Sequence, residues 1–221
     1  MDLLLIIVPT ILIFASQAYI NSSYKKYSLY DVKSRRTGYD VAREILDKNG
    51  LKDVKIKKVC GTLTDNYNPK TNTISLSDDI YSGTSIASVS VSAHECGHVL
   101  QHKEKYFFIV LRSILVPVVN ISSKLGYAIL LIGIFASIFD IAFIGLILMS
   151  LALIFQLITL PTEFNASKRA KDVLLELNIV SNDELPKVKA MLRSAAMTYV
   201  ASFFANILEM LRLFLILRND D

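Results

Sequence analysis

The sequence predicts a mostly α-helical membrane protein, built from transmembrane helices and a small α+β domain set between them. Three observations predict it. Residues 3–20 are an almost unbroken apolar run, residues 107–160 are a second apolar region, and residues 21–106 between them have ordinary soluble composition. Eighteen consecutive apolar residues suffice to cross the hydrocarbon core as a helix. The chain's 221 residues, 52% apolar and 20% charged, allow one or two domains.

The first apolar run reads as a retained anchor. Ser16-Gln17-Ala18 loosely fits a small-x-small cleavage site, but Asp2 and no Lys or Arg precedes the apolar core, where a signal peptide needs positive charge. Lys25, Lys26, Lys33, Arg35 and Arg36 follow it instead, which puts the N-terminus outside and residue 21 onward in the cytoplasm. The expected organisation is therefore an anchor at 1–20, a cytoplasmic domain at 21–106, and a membrane region with a helical hairpin at 107–160. A cytoplasmic helix and a C-terminal membrane-associated helix complete it at 161–221. Asp140 divides the strongest apolar stretch into 125–139 and 141–160 and reads as a turn residue on the far side of the membrane. Residues 107–123 hold Arg112, Pro117, Asn120, Ser122 and Ser123 and read as an interfacial or partly embedded helix. Residues 200–217 are apolar with a stripe of Ser202, Asn206, Glu209 and Arg212. They read equally as a helix laid against the others or as a fourth crossing.

Charge and cysteine usage exclude other classes. The net charge of +4 is modest, and Lys48, Lys52, Lys55, Lys57 and Lys58 form a solvated basic face near anionic headgroups. No aromatic interleaving or basic helix points to nucleic acid. Cys60 and Cys96 have no CxxC spacing and fit buried thiols in a reducing compartment.

Within the soluble stretch, residues 38–49 read as a helix with Val41, Ala42, Ile45 and Leu46 on one face and Gly50 after its end. Residues 54–60 and 73–77 read as strands separated by Asn/Pro turn chemistry. The second strand would accept an extended peptide if its edge is open; as an ordinary internal strand it would not. Residues 85–102 then form a helix carrying His94-Glu95-Cys96-Gly97-His98. Positions i and i+4 share a helix face, so both imidazoles reach one metal ion with Glu95 beside them. This H-E-x-x-H spacing is the zinc-hydrolase arrangement: two neutral nitrogen ligands and a carboxylate to take a proton from water. A match by chance is on the order of 1% for such a chain. Cys96 points to the opposite side of the helix and reads as packing.

A catalytic zinc of this kind needs a third protein ligand. His102 lies eight residues beyond His94, roughly 12 Å along an unbroken helix. A carboxylate, or a thiolate, remains. Glu163 follows a two-crossing hairpin that returns the chain to the side of His94, whereas Asp140 would be left opposite; Lys168, Arg169 and Lys171 agree with a cytoplasmic position. Glu163 also reads as a first-turn acid of a helix beginning there.

These residues resemble a known family. Gly61-Thr62-Leu63-Thr64-Asp65-Asn66-Tyr67-Asn68-Pro69, Ile74-Ser75-Leu76-Ser77, Ala93-His94-Glu95-Cys96-Gly97-His98 and Glu163-Phe164-Asn165-Ala166-Ser167-Lys168-Arg169-Ala170 are similar to the motifs of the YugP-like neutral zinc metallopeptidases of bacterial membranes. The likeness covers nearly the whole chain. It implies a zincin-like domain of gluzincin type, a multi-pass position in the bacterial inner membrane, and an active site facing the cytoplasm. Zn2+ would be held by His94, His98 and Glu163, with Glu95 as catalytic acid/base and peptides or proteins, membrane proteins among them, as substrates. Two positions depart from the pattern. Asn66 and Asn68 stand where relatives more often have His and Asp, and Ser167 stands where gluzincins commonly place an Asp that orients a ligating His. Tyr67, Arg193 and Tyr199 are candidate oxyanion partners among which the sequence does not choose. Two rival readings are an intramembrane site-2-type protease using Asp140 and a non-catalytic scaffold with structural zinc. The Ser-rich metal helix, ending in His102-Lys103-Glu104-Lys105, weighs against the first. The open fourth ligand position weighs against the second.

Overall fold

The computed structural model describes residues 2–219. Among the described residues four helices are long and apolar enough to cross a membrane: Leu3–Tyr27, Phe107–Ala136, Phe139–Glu176 and Leu185–Arg218. By contact the described chain divides into two units. One comprises the chain up to Gln17, Phe107–Pro161 and the chain from Met197; the other comprises Ala18–Tyr106 and Thr162–Ala196.

The apolar unit takes the first part of α1 (Asp2–Tyr27), all of α5 (Phe107–Ala136), the first part of α6 (Phe139–Glu176) and the end of α7 (Leu185–Asn219). Residues 107–123 are not a separate interfacial helix. They run on without a break into 124–136, and Pro117 sits inside the helix. Ser137, at φ 54°, makes the turn between α5 and α6, so Asp140 lies in the first turn of α6 rather than at the tip. There its charge suits the helix N-terminus. The hairpin packs backbone to backbone. A Cβ on Gly133 would meet the Ala142 nitrogen at 2.2 Å, and one on Gly145 would meet the Leu130 nitrogen at 2.4 Å. Without a hydrophobic force between helices in lipid, such close approach of small residues supplies the van der Waals attraction. Leu130, Ala142, Leu146 and Leu217 form the buried cluster of this unit, while Ile114, Phe135, Ile144 and Leu157 are turned outward.

The second unit holds the sheet. α2 (Gly38–Lys48) starts at a capping box in which Thr37 and Asp40 satisfy each other's backbone, and its Val41, Ala42, Ile45 and Leu46 are fully buried. β1 (Lys55–Val59), β2 (Asn66–Asn68) and β3 (Thr73–Ser77) form a sheet in the order β1-β3-β2. β3 pairs parallel with β1 (Ile56 opposite Ile74) and antiparallel with β2 (Tyr67 opposite Ile74). Of the two readings of 73–77, the internal strand is the one that forms, and the open edge is absent. β3 is the central strand, buried at all five positions, and both of its edges are occupied. A short α3 (Asp78–Ser82) leads to α4 (Ile86–Lys103), whose N-cap Ser85 accepts from the Ser88 backbone.

α4 is buried on most of its circumference. One face meets α2, where the Ser92 hydroxyl donates to the Gly38 carbonyl at 2.5 Å and Cys96 Sγ lies 3.8 Å from the Ala42 carbonyl. Ile74, Leu76, Ile86, Val89, Leu174 and Met191 join one core with these residues. Each such aliphatic side chain contributes about 1.5–3 kcal/mol through the apolar area it removes from water. The polar residues after Leu160 do not begin a new helix: α6 runs on through Pro161 to Glu176. The bend between α6 and α7 is latched. The Glu184 carboxylate, 4% exposed, accepts from the Ser181 amide (2.8 Å) and hydroxyl (2.6 Å) and from the Lys33 amide (2.8 Å), while Ser34 donates to the Ile179 carbonyl.

Candidate metal centre

His94 and His98 lie one turn apart on the side of α4 that faces α6. Gly97 sits between them and makes the approach possible. A Cβ at that position would meet the Ala166 carbonyl oxygen at 2.7 Å and the Ala166 Cα at 3.1 Å, both fixed backbone. Glu163 stands three residues before Ala166 on the same stretch of α6, so the contact that seats Gly97 also delivers Glu163 to the imidazoles.

The donors converge. His94 Nε2 is 3.3 Å and His98 Nε2 is 3.5 Å from Glu163 Oε2, and the three ligand atoms all lie within 4.8 Å of one another. The rings are 4.8 Å apart at 84°, so their lone pairs can point to one place without stacking. Zinc bonds of about 2.1 Å in a tetrahedron require ligand atoms about 3.4 Å apart. The 3.3 and 3.5 Å separations from the carboxylate fit that edge. Two imidazole nitrogens and one carboxylate oxygen also match the donor chemistry of zinc sites that keep a fourth position open.

Burial sharpens the electrostatics. Glu163 is 2% exposed, Glu95 7% and His98 9%. Burial alone would raise the Glu163 carboxyl, but the hydrogen bonds and charge of His94 and His98 hold it far below the usual carboxylate range. Burial works against a proton on His98. The Glu163 hydrogen bond and charge, the Glu95 charge and the acceptor on Gln101 outweigh it, so its pKa is raised. For Glu95 burial dominates and raises the pKa; the two imidazoles pull it down, and Glu163 and Asp65 push it up. Burial also pushes the Cys96 thiol up, with the Glu95 charge adding to it, so the thiol packs rather than reacts.

The remaining candidates lie elsewhere. Among the described residues His94, His98 and Glu163 are the one such grouping, and Asp140 is in the apolar unit, 23 residues earlier in α6. Glu163 is inside a continuous helix and does not act as a first-turn acid. His102 is in the last turn of α4, its ring edge-on to Tyr67 at 5.6 Å. The Tyr67 hydroxyl bonds Asn72 at 3.2 Å, Arg193 is exposed on α7, and Tyr199 belongs to the apolar unit. Asn68 accepts from the Lys70 amide and so shapes the turn.

Ser167 does reach the position its spacing suggested, its Oγ lying 3.3 Å from His94 Nδ1. The residue the sequence reading missed is Gln101, wholly buried, with Oε1 3.0 Å from His98 Nδ1. Its signal was available: an uncharged polar residue at i+3 from a ligand shares that ligand's helix face.

Membrane-capable helices, an H-E-x-x-H helix and a glutamate brought beside its two histidines from α6 are the features shared with membrane zinc peptidases. Residues 2–218 match the model of the family described as "Putative neutral zinc metallopeptidase", and the chain belongs to that family. Zinc is accordingly its metal. The chain is 44% identical over 206 residues to the "Putative membrane protease YugP" of Bacillus subtilis, covering 93% of this chain and 92% of that protein. No solved structure matches it.

Proposed function

We propose that this protein hydrolyses peptide bonds at the cytoplasmic face of the bacterial inner membrane, with Glu95 as catalytic acid/base and His94, His98 and Glu163 as zinc ligands. The observation that carries the reading is the convergence of those three donors at 3.3 and 3.5 Å, with a buried carboxylate on the residue adjoining His94. When bound there, zinc supplies a Lewis acid for the scissile carbonyl and brings the pKa of water toward ~7. Glu95 takes the proton of the attacking water and delivers it to the leaving nitrogen, so that an amine rather than an amide anion departs. The depressed Glu163 stays anionic, and its charge balances the metal. Ser167 and Gln101 hold the outer nitrogens of the two rings.

The proposed topology has the zincin-like domain, residues 21–106, on the cytoplasmic side. Two observations support it: the positive charge after residue 20, and the two apolar helical stretches between His98 and Glu163, namely α5 and the part of α6 that precedes Glu163. Peptides and proteins, including membrane proteins, are its substrates.

The test is Glu95→Gln in the full chain. It is expected to retain zinc and lose hydrolysis by about 10²–10⁴-fold, the range for a positioned acid/base. In cells, membrane-proximal fragments should vanish from the proteome. A variant that keeps the cellular phenotype, while His94→Ala loses it, would make the protein a zinc-dependent scaffold instead. Labelling of cysteines introduced at positions 94 and 163 is expected to place both on the cytoplasmic side.

A further inference from the structure

We infer that Gln101 is a positioning residue that fixes the tautomer of His98 and ties it to the helix carrying Glu163; this rests on the zinc reading above. The orientation of its amide is dictated by its partners. One partner is the Thr162 backbone carbonyl at 2.8 Å, which can only accept, so the amide nitrogen must face it. The same nitrogen donates to Asn165 Oδ1 at 3.0 Å, and that oxygen is fixed as an acceptor by Arg169 Nε at 2.7 Å. Arg169 in turn pairs with Glu104 at 2.7 Å. With the nitrogen committed twice, the amide presents its oxygen to His98 Nδ1.

An oxygen at 3.0 Å from Nδ1 needs a proton there. In the neutral ring Nδ1 therefore carries the hydrogen, and Nε2 is left with its lone pair on the side of Glu163. Thr162 adjoins Glu163 in the chain, so a single buried side chain sets one ligand's protonation and holds the backbone next to another. Ser167 at His94 has no such authority, because a hydroxyl can donate or accept by rotating.

The test uses the full-length protein in detergent. Zinc affinity is read by chelator competition on wild type, Gln101→Met and Gln101→Glu. Gln101→Met is expected to weaken zinc binding about 10–100-fold, the range for loss of a partner that orients a ligand. Gln101→Glu keeps an acceptor on Nδ1 but loses the donor to α6, and it is expected to recover affinity to within about threefold of wild type. A residue that only braced the two helices would not be rescued by glutamate. Should Gln101→Met not fold, the 15N spectrum of histidine-labelled wild type decides, its three histidines being few enough to separate. Zinc on His98 Nε2 with a hydrogen-bonded proton on Nδ1 supports the inference; zinc on Nδ1 overturns it. Wild-type affinity in Gln101→Met overturns it while leaving the zinc site standing. Absence of zinc from His98 in the wild type overturns both.

Discussion

Gly97→Ala tests the geometry most directly, because it adds one methyl group at the crossing that assembles the centre. The new Cβ would lie 2.7 Å from the Ala166 carbonyl oxygen and 3.1 Å from its Cα, neither of which can rotate away. Relief to an ordinary contact requires α4 and α6 to separate by about 0.5 Å or more. A zinc centre tolerates about ±0.2 Å in its ligand distances. The carboxylate separations of 3.3 and 3.5 Å have no slack to absorb such a shift. Stability responds less. Overpacking costs about 1–3 kcal/mol, and alanine's better helix propensity returns up to about 1 kcal/mol. The expected result is a folded protein whose zinc affinity drops by about 10–100-fold or more, with hydrolysis falling in parallel. Chelator competition gives the affinity, and far-ultraviolet circular dichroism with thermal unfolding of the metal-free form gives the fold. A folded Gly97→Ala protein binding zinc within about threefold of wild type would refute the reasoning, because a difference under 1 kcal/mol is too small for a displaced ligand.

Four further outcomes can be read by experiment. Glu163→Ala should abolish stoichiometric zinc whereas Asp140→Ala should leave it unchanged, as metal analysis of the purified proteins will read; the opposite pattern would move the centre into the membrane. Zinc affinity should fall on acidification beginning above the ordinary imidazole range, since the raised His98 pKa makes protons competitive there. For the metal-free protein the sign reverses for that pair. The raised His98 contributes stability that is complete below about pH 6.5 and lost as pH rises through its folded value, while the depressed Glu163 contributes above about pH 4.3. Thermal unfolding of the metal-free form against pH should show this contribution greatest between those limits. Finally, Glu184→Leu should destabilise by about 2–3 kcal/mol, the cost of stranding donors that a carboxylate had satisfied. Its depressed pKa means the loss relative to wild type shrinks as pH falls below about 4.3, which acid denaturation of both proteins will show.

What was legible in the sequence was whatever depended on spacing along one element. The i, i+4 pair of histidines, the Gly50 stop of α2, and the apolar lengths of the membrane helices need only helical periodicity. What escaped depended on partners distant in the chain. The strand at 73–77 reads the same whether its edges are open or taken. Only the parallel pairing with β1, which joins residues 18 apart, makes it central. A polar run after an apolar one looks like a boundary, and proline at 161 costs a hydrogen bond and a ring clash with the carbonyl one turn back, yet α6 continues through it.

That continuity changes the reason Glu163 faces the two imidazoles. Read as a first-turn acid, it would owe its place to a helix dipole, and any acid nearby in sequence could replace it. Inside an unbroken helix its direction is set by the Gly97–Ala166 contact and by Gln101 on Thr162, two constraints one turn or less away. An aspartate at 163, one methylene shorter, would then fall about 1.5 Å short of the imidazoles, well outside the tolerance of a zinc bond. Glu163→Asp should therefore lose zinc almost as completely as Glu163→Ala despite keeping the charge. A Glu163→Asp protein that held zinc with wild-type affinity would show that charge, not reach, governs the third ligand.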